Sequence, residues 1–183
     1  MDGGLSWRRG GSGLTLVEFM VAIVVLAILT TISIPSLRAM IQRNRVSAYS
    51  SELVGALGLA RSEAIKRGMS ASVRGPASGS APLTEGWRIE APAFASPSTP
   101  LIVQTQQGMK NATFCGKPCG GATDAPRSIT FNARGNLEKV NGAERNAVNM
   151  ALIPDDCQSG KEVGRAIRIN AVGRIITEPL ACP

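Results

Sequence analysis

The 183-residue chain contains no histidine. That absence removes the Ser-His-Asp and Cys-His arrangements of nucleophilic catalysis and every imidazole metal ligand. There is no glycine-rich Walker loop, and Asp155-Asp156 and Glu138 with Glu144 lack the ligand spacing of a calcium loop. No internal repeat stands out. The chain offers no catalytic constellation and calls for no cofactor, so a non-enzymatic role is expected.

Cysteine is missing from the N-terminal half. All four, Cys115, Cys119, Cys157 and Cys182, lie in the distal half. An even count on one side suits structural disulfides in an oxidising compartment. Four cysteines permit three pairings. The favoured one joins Cys115 to Cys119 across Gly116-Lys117-Pro118, and Cys157 to Cys182. The second bond would staple the C-terminus to the body, worth about 3 kcal/mol in the chain-entropy account. Zinc is the rival, but the Cys-x3-Cys pair has no second such pair behind it, and no histidine can help.

Charge is nearly absent from Leu14 to Ile34, 21 residues in which Glu18 is the only charged side chain. Roughly 20 residues at about 1.5 Å each span the hydrocarbon of a bilayer as a helix. A carboxylate at mid-membrane costs on the order of 2.5–3.5 kcal/mol. Near one end the cost is smaller, yet the position still asks for a partner. Ahead of the run stands a glycine-rich leader, Met1 to Gly13, with Arg8 and Arg9. A secretory signal places its small cleavage residues after the apolar core. Here the candidates there, Thr30 to Ser36, are poor and Pro35 intrudes.

Beyond Pro35 the pattern stays helical. Leu37, Met40, Ile41, Val46, Tyr49, Leu53, Leu57, Ala60 and Ala64 recur at three- and four-residue steps, one apolar stripe ending near Gly68. Gly68 after a cationic last turn is a stop signal. Pro35 is a built-in weak point, and Gly55 and Gly58 loosen the stem by up to about 1 kcal/mol each.

After Gly68, short β-like runs alternate with Gly, Pro, Ser and Asn: 71–73, 87–89, 101–103, 129–131, 148–152, 165–170 and 174–177. The last two form an expected hairpin, and 75–86 and 91–100 are expected surface loops. The expected architecture is α+β: 1–13 a leader, 14–35 a membrane helix, 36–68 an amphipathic stem, and 69–183 a small antiparallel β-rich head.

The opening Gly13-Leu14-Thr15-Leu16-Val17-Glu18, with Pro35, resembles the class III prepilin leader of type IV pilins and type II secretion pseudopilins. The resemblance implies cleavage after Gly13 by prepilin peptidase, methylation of the new amine at Leu14, and an assembly role for Glu18. In a helical stack, the Glu18 carboxylate of one subunit would neutralise the Leu14 amine of its neighbour, so assembly relieves two desolvation costs at once. Ala60 to Arg67, Gly86-Trp87-Arg88-Ile89, Ile129 to Gly135 and Gly173-Arg174-Ile175-Ile176 resemble FimT/FimU-type minor pilins and GspH-type minor pseudopilins. Length and the C-terminal cysteines favour the FimU-like pilus branch. The structural reading of these motifs makes Trp87 and Phe131 core, Gly135 a turn, and Arg61 and Glu63 solvated helix charges.

The resemblance implies a subunit of a priming or tip complex, held in the inner membrane by one span with a periplasmic head. Arg8 and Arg9 precede the span while Arg38, Arg43 and Arg45 follow it, so charge bias leaves orientation open; leader and cysteines set it. The implied partners are other minor pilins, the major pilin, prepilin peptidase and inner-membrane lipid. DNA is the further candidate, because the net charge is +7. Residues 36–68 carry six basic against two acidic residues, and 69–183 twelve against nine, so most of the excess lies on the stem. Lys161, Arg165, Arg168 and Arg174 are the candidate phosphate contacts of the head. Some FimT-type relatives carry a Gly-Arg-x-Arg element; Gly164-Arg165-Ala166-Ile167-Arg168 is one residue too long for it, and Gly173-Arg174-Ile175-Ile176 lacks the second arginine.

Overall fold

A computed structural model describes residues 15–79, 81–93, 99–109, 112–116, 125–155, 157, 160 and 162–182, without the side chains of 31–36, 38–39, 77–78, 115–116 and 162–163. The chain divides into two compact units, Met1–Ala39 and Met40–Pro183. One helix, α1 (Leu16–Arg67), supplies the described part of the first and opens the second.

In the first unit, the large apolar side chains from Leu16 to Leu29 are all about half exposed or more. In the second, α1 lays down a buried stripe of Val46, Tyr49, Leu53, Ala56, Leu57, Ala60 and Ala64. Burying a leucine such as Leu53 or Leu57 contributes roughly 1.5–3 kcal/mol. The stripe starts later than its sequence pattern: Leu37, Met40 and Ile41 are exposed. The helix ends in a Schellman motif. Met69 N–H donates to the Ala64 carbonyl at 3.2 Å and Gly68 N–H to that of Ile65 at 3.3 Å, with Gly68 at φ +65°.

The stripe packs into one core with two antiparallel sheets. The first sheet holds β1 (Ala71–Arg74), β2 (Gly86–Pro92), β3 (Pro100–Gln107), β5 (Ser128–Phe131), β6 (Leu137–Val140) and β7 (Ala143–Glu144), in spatial order β3-β2-β1-β5-β6-β7. The second holds β4 (Ala112–Gly116), β8 (Val148–Pro154), β9 (Glu162–Ile169) and β10 (Ile175–Ala181), in order β10-β9-β8-β4. Trp87 and Phe131 are buried, as their structural reading expects. The β9–β10 hairpin forms with Ile175 opposite Ile169 and Thr177 opposite Ile167.

Two expectations need correction. Strands β4, β6 and β7 were not expected, because charged β6 and two-residue β7 carry little apolar alternation. The 75–86 segment is not simply a surface loop. It contains a short helix α2 (Pro76–Gly79) and a 3-10 turn at Leu83–Glu85, with Leu83 and Thr84 buried. The cause is Tyr49. Its hydroxyl reaches the carbonyls of Leu83 (3.1 Å) and Thr84 (3.2 Å), drawing the turn onto the stem.

Burial pushes the Tyr49 hydroxyl up to about 12; the Glu52 charge adds to the rise and the Met109 backbone opposes it. The folded value lies above the unfolded one, so this contribution is complete below pH ~10 and is lost as pH rises through ~12. Tyr49 is the single tyrosine. Ultraviolet phenolate titration of the folded protein is therefore expected to show a midpoint near 12, against about 10 in denaturant. A folded midpoint near 10 contradicts the buried, carbonyl-bonded hydroxyl.

Candidate functional site

At the N-terminus, Gly13 and Leu14 lie outside the described residues. The helix begins immediately after Thr15, whose Oγ1 accepts the Glu18 backbone N–H at 3.3 Å. That is one half of a capping box, with Thr at the N-cap and Glu at the third helical position. Its sequence signature, Thr-x-x-Glu ahead of an apolar run, is legible at Thr15 to Glu18. It gives Glu18 a local function, since a carboxylate in the first turn suits the positive end of the helix dipole. The Glu18 side chain is exposed, free of the cap bond, which its backbone makes. Helix α1 runs through Pro35. Among the described residues no helix is long and apolar enough to cross a membrane; the side chains of 31–36, which complete the apolar run in the sequence, are outside that set.

At the other end, Cys157 and Cys182 are disulfide-bonded with Cα atoms 5.6 Å apart. The Cys182 carbonyl also accepts the Gly160 N–H at 3.1 Å, so the penultimate residue is held twice. Backbone Cys115 sits in β4 opposite Ala151, but its side chain and all of Cys119 lie outside the described residues. No group of metal-ligating side chains occurs among the described residues.

Of the four candidate phosphate contacts, the three described, Arg165, Arg168 and Arg174, do not converge. Lys161 is outside the described residues. On β9, Arg165 shares a face with buried Ile167 and Ile169, and its guanidinium donates to Ser47 Oγ of the stem at 3.3 Å. Arg168 projects from the opposite face, as strand alternation requires, and pairs with Glu178 on β10 at 3.2 Å. Only Arg174 is exposed with no ion-pair partner among the described residues.

The structure instead gathers the sequence motifs around Arg61. Two turns share one design. Residues Ile129-Thr130-Phe131-Asn132-Ala133-Arg134-Gly135-Asn136-Leu137 and Ile167-Arg168-Ile169-Asn170-Ala171-Val172-Gly173-Arg174-Ile175 form a short internal repeat, strand–Asn-Ala-x-Gly–strand, which corrects the expectation of none. In the first, Gly135 N–H donates to the Asn132 carbonyl (2.8 Å) and Asn132 Oδ1 accepts the Asn136 N–H (3.0 Å). In the second, Gly173 N–H donates to the Asn170 carbonyl (2.9 Å) and Asn170 Oδ1 accepts the Arg174 N–H (2.9 Å). Both glycines are left-handed, at φ +77° and +74°. The turns meet: a β-carbon on Gly173 would collide with the Gly135 carbonyl oxygen. Arg61 clamps the pair, its Nε donating to the Gly135 carbonyl at 2.8 Å and its Nη2 to that of Val172 at 2.9 Å.

Arg61 and Glu63 are therefore not merely solvated helix charges. Glu63 is buried, and Arg67 bonds both its carboxylate (2.7 Å) and the Pro92 carbonyl (2.8 Å). A buried carboxylate is tolerable only with such a partner. Carbonyl capping across 74 and 111 residues of sequence has no local signature.

Three comparisons bear on this arrangement. The chain matches the family model described as Type II transport protein GspH over residues 50–173, and the prokaryotic N-terminal methylation motif over residues 8–34. Two crystal structures of the type IV minor pilin FimU of Pseudomonas aeruginosa are similar. One is 25% identical, covering 75% of this chain and 90% of that chain at TM-score 0.53. The other is 26% identical, covering 73% and 92% at TM-score 0.50. The minor pseudopilin EpsH of the Vibrio cholerae type 2 secretion system is 13% identical, covering 75% and 97% at TM-score 0.48. No curated protein gives a significant match. The helix packed on antiparallel sheets is a pilin fold, and the matched families are structural pilin and pseudopilin subunits, which work in complexes with other pilins. With the GspH model spanning both paired turns and most of the stem, the chain belongs to the GspH family of minor pilins and pseudopilins.

Proposed function

We propose that the chain is a minor pilin of a type IV pilus, a subunit of the priming or tip complex that starts fibre assembly. In this reading prepilin peptidase cuts between Gly13 and Leu14 and methylates Leu14. The mature chain waits in the inner membrane with its head in the periplasm, then joins other minor pilins and the major pilin. The observation that carries it is the union, in one chain, of the methylation motif at 8–34 with a FimU-like fold over about three quarters of its length. The exposed apolar surface from Leu16 to Leu29 supports it, because such a surface needs lipid or neighbouring helices. A type II secretion role is the second reading, favoured by the family model over 50–173. DNA capture is a third reading that rests on the net charge of +7; on β9 it is weakened because Arg165 and Arg168 lie on opposite faces.

Deleting the gene and counting surface fibres by electron microscopy tests the proposal. Fibres are expected to fall to a small fraction of wild type and to return with a plasmid copy. Normal fibres with lost secretion would move the chain to the secretion branch; normal fibres and secretion would overturn both.

A further inference from the structure

We infer that the paired-turn surface beside the C-terminal end of α1 docks a partner protein through an acidic patch with an apolar side chain at its centre. This rests on the subunit reading above and names the surface that reading needs. Ile65 and Val172 are 52% and 58% exposed, and both adjoin the Arg61 clamp. A β-carbon on Gly135 would stand 2.7 Å from Ile65 Cδ1, so helix and turn are in contact there. Three cations lie within two residues of these positions in sequence: Lys66, Arg134 and Arg174. All three are exposed.

Among the described residues, only Lys66 of the three comes within ion-pair distance of a nearby carboxylate, and loosely. Glu63 is buried on Arg67, with Lys66 Nζ at 3.9 Å. Glu138 accepts the Ser70 hydroxyl at 2.7 Å and lies 3.9 Å from Lys139. Arg134 and Arg174 have no ion-pair partner among the described residues. An apolar centre with a cationic rim is the anatomy of a protein interface, and its complement is acidic. A phosphate backbone would contact the cations but leave Ile65 and Val172 uncovered, whereas a protein surface can cover both. The surface is also rigid, since both turns are closed by asparagine side chains and clamped by Arg61, so little ordering cost falls on binding. Arg134 and Arg174 contribute backbone N–H groups to those turns. Their side chains can be changed without opening them.

The test places benzoylphenylalanine at Val172 of the full-length chain in its own cells and maps the photo-crosslinked peptide by mass spectrometry. The expected product is a pilin-type peptide containing Asp or Glu. Its yield should fall about tenfold or more with Arg134→Glu plus Arg174→Glu, and recover when the partner's acidic residue is changed to Lys. The doubly reversed protein should melt within a degree or two of the parent. Crosslinking to DNA or lipid alone, no crosslink, or a yield indifferent to charge reversal overturns the proposal. Fibre counts after gene deletion stand apart: loss of fibres without this crosslink sinks only the docking surface, whereas the crosslink without any effect on fibres sinks only the pilus reading.

Discussion

One methyl group at Gly173 is expected to lower head stability by about 2–6 kcal/mol. Two costs combine. A non-glycine residue in the left-handed region costs on the order of 1–3 kcal/mol, and forcing a group into filled space costs a further 1–3 kcal/mol or so. Here the φ is +74° and the space is filled by the Gly135 carbonyl, whose backbone cannot retreat without breaking its bond to Arg61. Against a total of about 5–15 kcal/mol for a typical domain the loss is large. The matched control is Gly58→Ala, where nothing stands within 4 Å and the helix should gain up to about 1 kcal/mol. Urea denaturation of the two variants against wild type checks the contrast. A Gly173→Ala variant within about 0.5 kcal/mol of wild type, the usual range for a neutral surface change, would mean that the turns do not meet as described.

Glu18→Ala should leave membrane insertion intact or improved while removing the protein from assembled fibres. Insertion benefits because a carboxylate leaves the apolar run. The helix start survives because the Glu18 backbone N–H, not its side chain, bonds Thr15 Oγ1. Assembly suffers because the methylated amine of a neighbour loses its counter-charge. Leaving one half of a desolvated ion pair costs about 3–5 kcal/mol, enough to reduce incorporation by two orders of magnitude or more. Membrane fractionation and immunoblotting of sheared fibres, in a strain without the wild-type gene, give the two readouts. Wild-type incorporation would defeat the pairing argument. Thr15→Ala separates the effects, since it removes the cap and keeps the charge.

Much of this was legible in sequence, for reasons of range. The 3.6-residue stripe from Val46 to Ala64, the stop at Gly68 and the β9–β10 hairpin depend on neighbours a few residues apart. Each appears where its pattern predicts. The stripe overran at Leu37, Met40 and Ile41 because periodicity reports an apolar face, not what covers it. The 75–86 segment was misread as a loop because its burial depends on Tyr49, far upstream. Arg61 eluded a local reading for the same reason: its acceptors lie in two distant turns. The turns themselves are visible as a repeated Asn-Ala-x-Gly, yet nine-residue similarities carry little weight until the structure shows matching Asn–Gly hydrogen bonds and direct contact. The basic residues of β9 looked like a cluster along the chain, and strand alternation sends them to opposite faces.

The central claim is that this chain becomes a pilin-type subunit through cleavage and methylation at its N-terminus. Intact-mass measurement of the membrane-extracted protein tests it most directly. The account predicts a chain beginning at Leu14 and carrying one added methyl group on its α-amine. A retained Met1, or a cut near Ser33 to Ser36, would contradict it.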